Sequence, residues 1–263
     1  AGEAHAGAVL LADQRWQRPP IGIVAPAAAD QPLLAGAYYL ERALEPVAEV
    51  RRGTTEALLQ RELELLILTD TGALDAAAEA SLRTWVEAGG QLLRFAGPAL
   101  AREGGKDALL PVPLRAGERT IGGALAWDRA GRLAPFEAES PFGGLAVPDD
   151  VVIHRQVLAE PGTDGDAAAG GAAWARLTDG TPFVTARALG QGRTILVHSP
   201  ANAEWTTLPL SGLFVTMLER IVQLGRGTGP TELVAPLVPI ATLDGFGRLG
   251  PPPASAEPIA AAA

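Results

Sequence analysis

At 263 residues, 48% of them hydrophobic and 19% charged, the chain is long enough for one large domain or two small ones around a packed core. A formal net charge of −9 argues against a nucleic-acid partner or an anionic membrane surface. The absence of Cys removes disulfides, thiolate metal ligands and any cysteine nucleophile, and no run approaches the roughly 18 apolar residues that span a bilayer, so no direct membrane insertion is expected of this segment.

The first residues, AGEAHAGAVL, carry no initiator Met and no signal-peptide pattern, and residues 1–19 read as an N-terminal tail cut from a longer protein. IGIVAPA (21–27) then suits a strand buried on both faces. PLLAGAYYLERALEP (32–46) places Leu33, Ala37, Leu40 and Leu44 at helical spacing between two prolines. VAEVRRG (47–53) alternates like an edge strand, TEALLQREL (55–63) is a short helix, and LELLILTD (63–70) is the clearest buried strand. Asp75 is placed to cap a helix running to Gly89, with Leu82, Trp85 and Val86 on one face. QLLRFAG (91–97) follows as a strand. Strands alternating with helices in this way predict a mainly parallel sheet wound on both faces.

The rhythm changes after about residue 104. Residues 104–150 are Gly- and Pro-rich and read as a loop-rich insertion with one or two short strands. VVIHRQVLAE (151–160) reads as a strand and PGTDGDAAAGGAA (161–173) as a flexible loop. Three strand-like runs joined by DGT and GQG then predict an antiparallel extension of the sheet. From Pro209, the residues Leu210, Leu213, Phe214, Met217, Leu218, Ile221 and Val222 make one apolar helical stripe that ends at Gly225. Thr206 or Thr207 is placed to cap that helix, and Gly212 inside it predicts close packing, with a docking surface for a neighbouring domain as the alternative. Residues 226–263, rich in Pro, Ala and Gly, read as a linker to a following domain. The α/β domain is thus expected over residues 20–225.

Several stretches resemble a bacterial family of membrane proteins, the BatA-like proteins with an N-terminal double-transmembrane segment and a C-terminal domain of unknown function. They are YYLERALEP, WVEAGGQLLRFAGPALA, SPFGGLAVPDDV, RQVLAEP, WARLTDGTPFVTA, WTTLPLSGLFVTMLERIV and LDGFGRLGPPP. The resemblance implies a central extramembrane domain anchored at the bacterial inner membrane, on the periplasmic side, with the neighbouring domains of the same protein as partners. It also implies a flavodoxin-like, doubly wound fold similar to class I glutamine amidotransferases.

In that enzyme class a Cys sits on a strand-to-helix elbow, with His and Glu downstream. The corresponding stretch here is RFAGP, where Ala96 or Gly97 occupies the elbow, and neither side chain attacks a carbonyl. No catalytic residue is therefore assigned, and the favoured reading is a noncatalytic scaffold or ligand-sensing domain. The candidates for a ligand pocket at the carboxyl ends of the strands are Asp70, Gly97, His198, Glu204 and Trp205, which would take a small polar molecule or perform hydrolysis. The structural alternatives are that Asp70 caps a turn, that His198 bonds a backbone carbonyl and that Trp205 packs under the last helix. His5, His154 and His198 share no ligand spacing, and the glycine pairs make no phosphate loop, so neither a metal nor a cofactor is expected.

Overall fold

The computed structural model describes residues 18–25, 36–72, 74–103, 107–121, 131–160, 171–225, 242–243 and 249–251. By internal contacts the chain divides into a unit spanning Pro19–Gly225 and a second unit made of Ala1–Arg18 with Arg226–Ala263. In the second unit, β10 (Thr242–Leu243) and β11 (Leu249–Gly250) pair antiparallel. The expected tail and linker otherwise lie outside the described residues.

In the larger unit five short strands, four of them mainly apolar, form the parallel part of the sheet. They are β1 (Pro20–Val24), β2 (Glu49–Arg52), β3 (Leu65–Thr69), β4 (Gln91–Phe95) and β9 (Gly192–Val197). β3 and β4 are buried at every position, as expected of strands covered on both faces. β2, which carries Arg51 and Arg52, takes one edge, where charged side chains discourage further pairing. Beyond β9, the strands β8 (Pro182–Leu189) and β7 (Gly171–Arg176) add antiparallel, so the full order is β2-β1-β3-β4-β9-β8-β7. The first five positions reproduce the 2-1-3-4-5 order of flavodoxin-like sheets.

Helices cover both faces. α1 (Gly36–Leu44) and α5 (Gly212–Gly225) pack on the face carrying Ile21, Ile67, Leu93 and Ile195. On the other face, α2 (Thr55–Leu59) and α3 (Ala76–Glu87) cover Leu66, Leu68 and Leu92, while α4 (Pro98–Glu103) covers Leu196. Asp75 caps α3 as its position predicts, accepting from the Ala78 N–H at 2.7 Å. The sheet, its winding and its antiparallel extension are therefore as the sequence pattern indicates.

Four local expectations differ. VVIHRQVLAE contributes only the two-residue β6 (Arg155–Gln156), paired with β5 (Arg119–Thr120). The rest of that stretch bonds piecewise to the insertion and to Trp205 and Thr206, so its alternation records partial burial rather than a continuous ladder. The last helix begins later than its stripe suggests. Leu208–Leu210 is a 3-10 turn, Leu210 is 64% exposed, and Ser211 supplies the side-chain acceptor for the Phe214 N–H. Thr206 instead accepts from Leu208 N–H, and Thr207 bonds across to Val152 and Asp150. A Cβ added at Gly212 would meet nothing within 4 Å, so close packing is not what keeps a glycine there. The predicted loop at 161–173 lies outside the described residues up to 170, and residues 171–173 belong to β7.

Candidate functional site

The strand-to-helix turn after β4 is organised by Asp70, the residue that follows β3. Its backbone adopts φ 30°, a left-handed conformation that Asp tolerates better than most residues. That turn carries the carboxylate sideways to the next strand's connection rather than along its own. There it accepts from the Gly97 N–H at 3.0 Å, the Ala99 N–H at 2.9 Å and the Leu100 N–H at 3.0 Å. Pro98 has no N–H to offer, so one carboxylate satisfies every donor from Gly97 to Leu100. Gly97 stands at the N-cap position without a side chain of its own, and Asp70 supplies the missing capping oxygens from another strand. A Cβ at residue 97 would lie 2.5 Å from Asp70 Oδ2, which explains the glycine.

His198 follows β9 as Asp70 follows β3. Thr69 and Val197 both pair with Phe95, so the two candidates emerge from strands flanking β4 at the same level. His198 is fully buried, with Nδ1 2.8 Å from the Val157 carbonyl oxygen and Nε2 3.1 Å from Thr185 Oγ1. Both ring nitrogens are thus engaged inside the protein. Glu204 is exposed, and its backbone N–H donates to Asn202 Oδ1 at 3.2 Å. Trp205 is 1% exposed, but it does not pack under α5. It joins Ala96, Leu100, Leu110, Val157 and Leu196 beneath α4, and its carbonyl accepts from the His154 and Arg155 N–H groups. The structure therefore brings Asp70 and Gly97 into contact, holds His198 and Trp205 in the interior, and leaves Glu204 on the surface.

Two features of this unit were not singled out in the sequence. Arg94 interrupts the apolar run QLLRF, and it is 2% exposed in the middle of the sheet. It pairs with the buried Asp107 and donates through Nη2 to the Gly72 carbonyl at 2.9 Å, tying the β3–α3 turn to the insertion. A charged residue inside an otherwise apolar strand is the signal that points to such a pair. The second feature is a groove of about 310 Å³ on the insertion, whose lining includes Arg132, Leu133, Pro135, Leu145, Val147 and Asp149. None of the five candidate residues lines it. Among the described residues no cluster of His, Asp and Glu could hold a metal ion, and no helix is long and apolar enough to cross a membrane.

No family model matches the chain, and no curated protein matches it. Solved structures do. A cytoplasmic protein from Salmonella typhimurium is similar at 14% identity with a TM-score of 0.56, over 78% of this chain and 98% of that one. A ThuA-like protein from Bacteroides uniformis is similar at 12% identity with a TM-score of 0.55, over 82% and 95%. A β-galactosidase from Rahnella sp. is similar at 14% identity with a TM-score of 0.53, over 85% of this chain but 34% of the enzyme. At these identities the likeness is one of fold alone.

Proposed function

We propose that this chain is a noncatalytic, amidotransferase-like scaffold or ligand-sensing domain of a bacterial membrane-anchored protein, working through its neighbouring domains. The observation that carries the proposal is the occupation of the elbow. Acyl-transfer enzymes built on a strand-to-helix turn keep backbone N–H groups free there to bind a developing oxyanion. Here the Gly97, Ala99 and Leu100 N–H groups are all bonded to Asp70, and its negative charge repels a second anion at the same place. The turn also carries Ala96 and Gly97 where a nucleophile would stand, and the imidazole of His198 is enclosed.

The assignment to a BatA-like membrane protein rests on the sequence stretches quoted above, and with it the inner-membrane anchor and the periplasmic side. Neither depends on the chemistry of the elbow.

The test is an assay of the purified chain for ammonia or acid release from glutamine and from a set of simple amides and esters. The expected result is no release above buffer. Release that disappears in His198→Asn would contradict the proposal, because it would place a working imidazole in a site read here as closed.

A further inference from the structure

Far from the elbow, at the amino ends of β4 and β9, Arg193 is half-buried on the sheet face covered by α1 and α5. Its guanidinium makes no ion pair or side-chain hydrogen bond among the described residues, although the chain carries 30 acidic side chains against 21 basic ones. Burial without a counter-charge pulls its pKa below the usual arginine value. Among the described residues its one specific contact is with Trp174, whose ring centroid lies 5.9 Å from the guanidinium carbon.

Trp174 is placed for this contact by a defect in the sheet. Ala173 pairs with Thr185 and Ala175 with Val184, so Trp174 is an extra residue in β7. Such bulges re-aim a side chain. The indole meets the Phe142 ring edge-on at 6.0 Å, and the Ser140 hydroxyl donates to the Trp174 carbonyl at 2.7 Å. On the same 140–142 turn, Pro141 O accepts a long 3.4 Å bond from Arg220 Nη1, and Arg220 likewise makes no ion pair among the described residues. The residue beside Arg193 on β4 is a buried amide. Gln91, directly across from Arg193 in the parallel register and 2% exposed, donates to Ile221 O, while its Oε1 has no partner.

We infer that Arg193 and Arg220, set around the bulged Trp174 and its Phe142 support, form a site for a small-molecule dianion bearing a phosphate group or paired carboxylates. Two guanidinium groups with no ion pair among the described residues, one of them partly desolvated, cost stability in the empty protein. Each offers forked N–H donors that match phosphate and carboxylate oxygens. In a chain of net charge −9 a purely structural arginine would be expected to find a local acid. This site is separate from the elbow and survives whether or not the elbow proves inert.

The test uses the full chain and inorganic phosphate as the probe, at constant ionic strength maintained with chloride. The readouts are the Arg193 and Arg220 Nε–H cross-peaks in NMR and indole fluorescence. Saturable shifts of both cross-peaks are expected, with a dissociation constant of about 1 mM. Acetate, a monoanion, should bind more weakly. Arg193→Lys, which keeps the charge but not the fork, should weaken phosphate by about tenfold and guard against a folding artefact in Arg193→Met. Arg220→Met should weaken it independently, and the two changes together should abolish it. No saturable shift, equal shifts with chloride alone, acetate binding as tightly as phosphate, or phosphate binding retained in the double variant would each overturn the site.

Discussion

Asp70 and Gly97 belong to different strand connections, yet each dictates the other. The Asp70 carboxylate accepts the Gly97 N–H at 3.0 Å, and a Cβ at residue 97 would lie 2.5 Å from the second carboxylate oxygen. That oxygen cannot move away cheaply, because the same carboxylate also holds the Ala99 and Leu100 N–H groups. Gly97→Ala should therefore destabilise the protein by about 1–3 kcal/mol, the usual cost of overpacking. Gly212→Ala is the control. It meets open space at the start of a helix and should be neutral or stabilising by roughly 0.5 kcal/mol. Urea denaturation of both variants checks the pair.

Removing the carboxylate itself should matter more. Asp70→Ala leaves the Gly97, Ala99 and Leu100 donors without their common acceptor and also places Ala at φ 30°. A loss of about 2–4 kcal/mol is expected, since hydrogen bonds to charged groups each contribute roughly 1.5–3 kcal/mol and are not additive here. Asp70→Asn retains one acceptor and tolerates the backbone, so it should lose less. An Asp70→Asn variant as stable as the wild-type chain would show that the carboxylate's second oxygen is idle.

The Arg94–Asp107 pair is enclosed, with side chains 2% and 4% exposed. Breaking it from one side strands a buried charge, so Arg94→Met or Asp107→Leu alone should cost about 3–5 kcal/mol. The double variant should lose less than either single, because no unpaired charge remains. A double-mutant cycle by chemical denaturation measures this, and strict additivity would contradict it.

Acid stability should carry a contribution from the β7–β8 turn. Burial pushes the Asp179 pKa up, but the Thr181 hydroxyl and N–H and the Arg119 guanidinium outweigh it and hold the carboxyl below 3.8. A depressed folded-state pKa means that the stabilisation is present above the unfolded value and lost as pH falls through the folded one. Asp179→Asn should thus flatten the stability profile below about pH 4 and leave its shape above pH 5 unchanged. With 40% of its side chain exposed, the group's effect is screened and should be modest.

The sheet was legible in the sequence because its strands are short apolar runs bounded by caps and glycines, as with LELLILTD and QLLRF. Asp75 could be read as a cap because its partner is three residues away. Asp70 could be placed at a strand end, but its partners are 27 to 30 residues further on, and no local pattern reveals which helix a carboxylate will cap. The same limit hid Arg94 and Asp107, and it hid Arg193 beside a bulge that alternation alone does not mark. Leu210 joined the helical stripe by spacing, while the 3-10 turn at Leu208–Leu210 turned it to the surface. Spacing reads one element's faces well and reads contacts between elements poorly.

The most direct test of the closed elbow is amide hydrogen exchange at Gly97, Ala99 and Leu100 in the wild-type chain and in Asp70→Ala. The account predicts three protected amides whose protection falls together in the variant while β3 and β4 remain protected. Rapid exchange of these amides in the wild-type chain would mean that the N–H groups are open to solvent, and the reading of an occupied, noncatalytic elbow would fail.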